Sequence, residues 1–200
     1  MNQHLRPTSL PATTRAAEGL ARRRWSVAEI EAMVAEGIIL EDERFELIGG
    51  EAVPMSGRGI PHEVVKAALQ QYWFPRIVGS PIDLITETTL RVGQDEFYEP
   101  DFLFWPRSIP LKDLAADTAL LIVEVADTSL RYDLGTKADI YSRLGLCELW
   151  VINANTLVTT VHRGPQPTRY ASVESKQPNE RIEPSLAPSL AVTLGTLDLG

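Results

Sequence analysis

The spacing of apolar and polar positions changes several times along the chain, and each change marks an element. Ser26 and Glu29 form a capping-box pattern ahead of Val27, Ile30, Met33 and Val34. That spacing predicts a short helix with one apolar side, stopped at Gly37. "RFELI" and "EAVPM" flank Gly49-Gly50, which predicts a strand hairpin. In "IPHEVVKAALQQYW", Pro61 suits a first helical turn. Val65, Leu69 and Tyr72 share a face, and Pro75 is expected to end the helix. Over 82–92 the apolar residues fall mostly on even positions (Ile82, Leu84, Leu90, Val92), which predicts one strand with a wet face. "FYEPDFLFW" predicts a strand entered through Pro100-Asp101. Residues 119–126 are nearly all apolar, as in a central strand covered on both sides. Asp133 can cap a helix over 133–144, with Gly145 beyond it. "ELWVI" and "TLVTTVH" form a second hairpin, turned at 153–155. After Gly164 a loose loop leads to "SLAVTLGTLDL", one more strand or helix. The order predicts an α/β (α+β) sandwich: one mixed β-sheet flanked by helices, with an N-terminal hairpin.

Composition narrows this picture. The 200 residues are 44% hydrophobic. They suit one domain, expected over 24–200, behind a flexible basic tail over 1–23 whose only acid is Glu18. No apolar stretch approaches the roughly 20 residues of a membrane helix, so no membrane partner is expected, and the expected location is cytoplasmic. A single cysteine, Cys147, excludes an internal disulfide framework and multi-cysteine zinc sites. It is expected in the core. The net charge of −8 argues against tight non-specific DNA binding by the monomer. A carboxylate site can still meet nucleic acid when metal ions supply positive charge.

Two residues break the apolar pattern. Glu124 stands among Leu121, Ile122, Val123 and Val125. An unpaired ionised carboxylate there would cost several kcal/mol. Lys137 interrupts the stripe Leu134, Lys137, Tyr141, Leu144, which is spaced to pack on the sheet. Its stem can pack while its ammonium reaches the sheet edge. Strand and helix are joined by a short loop, so Glu124 and Lys137 explain each other as a pair. Asp101 opens a neighbouring strand behind Pro100. Two carboxylates at adjacent strand ends suit Mg²⁺ (or Mn²⁺), which takes one or two carboxylates plus waters and substrate oxygens. A lysine beside the metal can orient a water or neutralise a phosphate.

Pro100-Asp101, Glu124-Val125-Ala126, Asp133 to Lys137, and "Y-x-x-x-G-x-x-E-L-W-V-I" from Tyr141 occur in a definite order. Together they resemble the Uma-type putative restriction endonuclease family, a bacterial branch of the PD-(D/E)XK nuclease superfamily. The resemblance covers residues 44–161, including "RFELIGGEAVPMS" and His62. The superfamily pattern puts its lysine two residues after the second acid, here Ala126. In the Uma-type branch the lysine comes from the following helix, and Lys137 matches that. Gly49 stands where the family often has an acid, and "ADTS" replaces a proline-containing segment.

The resemblance implies a restriction-endonuclease-like fold and metal-dependent hydrolysis of phosphodiester bonds, in DNA first of all. Asp101 and Glu124 would be the metal ligands, with Lys137 completing the catalytic set. It adds Glu46 as an accessory acid and His62 as a contact to the site or the phosphate backbone. Such nucleases often pair, so a homodimer is expected. A second class remains open: a non-catalytic interaction module of the same fold with a structural Glu124–Lys137 pair, which the acidic net charge favours.

Overall fold

The computed structural model describes residues 22–40, 42–55 and 57–200. The predicted basic tail lies almost wholly outside them. Helix α1 (Val27–Ala35) begins with both halves of the capping box in place: Glu29 N–H donates to Ser26 Oγ at 3.2 Å and Ser26 N–H to Glu29 Oε2 at 2.9 Å. The predicted hairpin follows as β1 (Phe45–Ile48) and β2 (Glu51–Pro54). Gly49 and Gly50 turn it at φ 56° and 80°, the region glycine enters without penalty. A Cβ on Gly50 would lie 2.6 Å from Arg24 Cβ and 3.1 Å from the Trp25 nitrogen. Gly50→Ala should therefore cost about 1–3 kcal/mol from strain and crowding. Its effect is read as a lower midpoint in thermal unfolding, with Gly57→Ala as control because open space surrounds Gly57.

Helix α2 (Ile60–Ile77) runs through Pro75 rather than ending there, so the proline only closes its last turn. Its deepest aromatic is Trp73, one residue beyond Tyr72, which is only partly buried. The predicted strand over 82–92 divides into β3 (Ile82–Thr86) and β4 (Leu90–Arg91). The break falls at Glu87, a non-glycine residue at φ 55°. "FYEPDFLFW" divides likewise, into β5 (Phe97–Tyr98) and β6 (Phe102–Pro106), with Pro100-Asp101 between them.

These two breaks correct the single predicted sheet. The described residues build two. β2, β1, β5 and β4 form a four-stranded antiparallel sheet. The second sheet has six strands in the order β10-β9-β8-β7-β6-β3 and adds β7 (Leu121–Ala126), β8 (Glu148–Asn153), β9 (Thr159–Arg163) and β10 (Ser172–Lys176). Only β7 and β8 run parallel, joined by the crossover that carries Lys137, so this sheet is mixed. β10 was not legible, because its residues are mostly exposed. The closing segment forms two short turns of 3₁₀ helix and one bridge, Ile182 to Val192.

Side-chain alternation divides the core. Phe102, Phe104, Leu121, Val123, Val125, Trp150 and Ile152 face α2. Leu103, Trp105, Ile122, Ala126, Leu149 and Val151 face the other side with Tyr141. α1 packs with Phe45, Leu47 and Phe97 on the outer face of the small sheet. Cys147, expected in the core, is only partly buried.

Candidate active site

Glu124 is the fourth residue of β7 and lies on the same face as Ile122 and Ala126. β6 and β7 are antiparallel, with Phe102 opposite Val123. One step further along this register brings Asp101 level with Glu124, and residues directly opposite share a face. The Val125 amide donates to Asp101 Oδ2 at 2.8 Å and pins that carboxylate to the strand.

The crossover after β7 is not the single helix capped by Asp133 that the spacing predicts. Helix α3 (Leu130–Tyr132) starts it, a π-helical turn occupies Asp133–Lys137, and α4 (Ala138–Arg143) completes it. Asp133 lies inside this run, where its Oδ2 accepts from Ser129 Oγ at 2.5 Å. Gly135, a poor helix former, sits in the widened turn. The turn presents Lys137 to the sheet. Its Nζ lies 3.0 Å from Glu124 Oε1 and 2.8 Å from Glu46 Oε1. Tyr141, one turn on, donates its hydroxyl to Glu124 Oε1 at 2.9 Å.

Glu46 comes from β1, on the face opposite Phe45 and Leu47. That face is covered too, so Glu46 is buried rather than wet. The Glu99 amide also donates to its Oε1, at 3.3 Å. His62, in the first turn of α2, places Nε2 3.1 Å from Asp101 Oδ1 and Nδ1 3.2 Å from Glu63 Oε1. All five residues singled out by sequence thus line one cleft of about 540 Å³.

Burial pushes Glu124 up to about 8, against the attraction of Lys137, while Asp101 and Asp133 push it the same way. Burial also works against Asp101, but the His62 hydrogen bond and charge, the Val125 amide and Lys137 hold it below the usual carboxylate range. Lys137 pays for burial as well, yet Glu124 and Glu46 raise it well above an ordinary lysine.

Among the described residues, no group of three or more His, Cys, Asp or Glu converges at metal-ligand spacing. The donor set suits a hard cation that takes one or two carboxylates and completes its shell with water and substrate oxygens. Asp101 and Glu124 could supply such oxygens, since each carboxylate keeps lone pairs beyond those already bonded.

A family model described as "Putative restriction endonuclease", Uma2, matches residues 28–195. The chain belongs to the Uma2 family. No curated protein matches it in sequence. The crystal structure of "a putative nuclease belonging to DUF820" from Anabaena variabilis ATCC 29413 is similar over 85% of this chain and 95% of that one, with 15% identity and a TM-score of 0.64. That likeness shows a shared mixed α/β fold. The type IIG restriction endonuclease BpuSI matches 69% of this chain and 15% of its own, with 19% identity and a TM-score of 0.37, too slight to bear on the fold.

This Uma2 chain adds residues to the cleft that the sequence did not single out: Arg58, Tyr132 and, behind Glu124, Tyr141. Tyr141 carried a readable signal, because it shares the helical stripe of Lys137. Arg58 did not. It sits in a glycine-flanked loop, "GRG", where periodicity says nothing.

Proposed function

We propose that this Uma2 protein is a metal-dependent nuclease that hydrolyses phosphodiester bonds, in DNA first of all. The observation that carries the reading is the Lys137 ammonium, buried between Glu124 and Glu46 in the cleft that Asp101 also lines. A buried cation aimed at a carboxylate cleft from a separate helix costs more than a packed apolar residue would, so the arrangement calls for a use.

Asp101 and Glu124 would hold Mg²⁺ or Mn²⁺, which supplies a Lewis acid for the phosphoryl oxygen and a water of lowered pKa. Asp101 is suited to remain ionised, because His62 and the Val125 amide hold its negative form. Lys137 can donate toward a nucleophilic water or toward the charge that develops on phosphorus. Tyr141 fixes the Glu124 carboxylate from behind. Glu46 accepts from the Lys137 ammonium at 2.8 Å and so sets its direction. In this reading two copies pair to reach both strands of a duplex, which light scattering would register as twice the 22.2 kDa chain mass.

The rival is a non-catalytic module in which the Lys137 pairs are purely structural. Labelled single- and double-stranded DNA, and matched RNA, should be incubated with Mg²⁺, with Mn²⁺ and with EDTA. Cleavage of DNA with either metal and none with EDTA is expected. Calorimetric titration of Mn²⁺ should show a saturable site that Asp101→Asn weakens by about tenfold or more. No cleavage of any substrate together with no metal uptake would leave the structural module.

Among the described residues no helix is long and apolar enough to cross a membrane.

A further inference from the structure

Resting on the nuclease reading above, we propose that Arg58 is the substrate clamp of this cleft: it binds a backbone phosphate of the DNA strand beside Asp101. The loop that carries it leads directly into α2, so Arg58 stands near His62, the residue that holds Asp101. Its side chain is mostly buried. One end of the guanidinium is paired with Glu87, and Nε lies 3.9 Å from Glu63. The other end is different. Nη2 is shielded from solvent, makes no hydrogen bond among the described residues, and lies 4.0 Å from Asp101 Oδ1.

A shielded guanidinium nitrogen without an acceptor is rare in a native fold, because it loses water and gains nothing. Pairing with Glu87 and Glu63 does not explain it. Lys66 already meets those acids, with Nζ 2.7 Å from Glu87 and 3.3 Å from Glu63. Arg58 Nη2 thus has N–H groups with no hydrogen-bond acceptor, within ion-pair reach of a carboxylate proposed to hold a metal. Turned toward the cleft that Arg58 lines, Nη2 would give a phosphate a charge-assisted hydrogen bond, the interaction in which arginine outperforms lysine. Burial and the nearby Arg44 disfavour the charged guanidinium while Asp101, Glu63 and Glu99 favour it, and a phosphate would add to the favourable side. In a chain of net charge −8, placing one cation at the bond to be cut gives grip without a basic surface.

The test is fluorescence anisotropy of a labelled DNA duplex, with Ca²⁺ in place of Mg²⁺, over a series of salt concentrations. Arg58→Gln should weaken binding about tenfold and lower the slope of log K against log salt by about 1. Arg58→Lys should recover part of the affinity and the full slope. Glu87→Gln removes the competitor at the paired end, so it should tighten binding a few-fold. A structural salt bridge predicts the reverse for that variant, and it also covers the case in which Arg58→Gln folds poorly. If the parent cleaves DNA and Arg58→Gln binds with parental affinity and slope, the clamp is overturned and the nuclease reading stands. If Glu87→Gln and Arg58→Gln weaken binding alike, Arg58 is a salt-bridge partner only and the clamp is again overturned. A parent that binds no DNA overturns both.

Discussion

Lys137→Ala should cut DNA cleavage by about 10²-fold or more and should also lower the stability of the metal-free protein. The first figure is the scale of removing one preorganised charge stabiliser. The second follows from what the ammonium touches. Lys137 meets Glu124 at 3.0 Å and Glu46 at 2.8 Å, and all three side chains are buried. Removing the shared cation leaves the buried Glu46 carboxylate without its ion-pair partner and makes ionising Glu124 costlier still, a loss of about 3–5 kcal/mol. Alanine itself is a good helix former, so the backbone of the crossover is not the cause. For a chain of this size the midpoint should fall by roughly 10 °C.

Metal separates the two roles of Lys137. If Asp101 and Glu124 hold a divalent cation, Mg²⁺ should replace part of the missing charge and restore much of the midpoint without restoring turnover. A purely structural lysine predicts otherwise: Lys137→Ala would unfold early, Mg²⁺ would not rescue it, and the parent would show no cleavage to lose. Thermal unfolding of parent and variant, with and without Mg²⁺, read beside the cleavage assay, decides between these outcomes.

The chain announces its site through misfits rather than through its regular elements. Glu124 in an apolar strand and Lys137 on an apolar helical stripe are visible because each violates the period around it, and both lie in the cleft. Architecture was less legible where local signals were correct but incomplete. The alternation over 82–92 is real, yet Glu87 at φ 55° breaks it and sends its two halves into different sheets. Pro100-Asp101 does the same between β5 and β6. Such breaks are set by tertiary pairing, which a period of 2 does not encode. Glu46 was ambiguous for a related reason. Alternation puts it opposite Phe45 and Leu47, but only tertiary contacts, with Lys137 of the crossover at 2.8 Å, show that its own face is buried as well. The π-helical turn at Asp133–Lys137 was hidden because the spacing 3, 4, 3 looks the same whether or not one turn is widened. Arg58 lies in a loop without periodicity, so only three-dimensional contacts bring it to notice.

Glu124→Gln should abolish cleavage and yet leave the metal-free protein as stable as the parent, or more so. The carboxyl of Glu124 is raised from its usual 4.5 to about 8, first by burial. A folded-state value above the unfolded one means that the native protein holds this proton more tightly. Its contribution is fully present below about pH 4.5 and is lost as pH rises toward 8. At pH 7 the loss is on the order of 3 kcal/mol. Glutamine has nearly the same shape and keeps an oxygen for Lys137 and Tyr141, but it carries no charge to bury. Lys137 still has Glu46 at 2.8 Å, so the variant strands no cation. The metal-free parent should therefore lose stability between about pH 5 and 8, on top of whatever other groups contribute, and the variant should lose less over that window. Metal reverses the ranking. A divalent ion should stabilise the parent in proportion to its affinity and should do little for a site in which one of two charged ligands is an amide. Urea unfolding of both proteins at pH 5 and pH 8, with and without Mn²⁺, measures all four states. A variant that is less stable than the parent at pH 8 without metal would show that Glu124 is kept for the fold. The expected order, with the variant ahead without metal and behind with it, would show a carboxylate retained at a cost to stability because the site requires its charge.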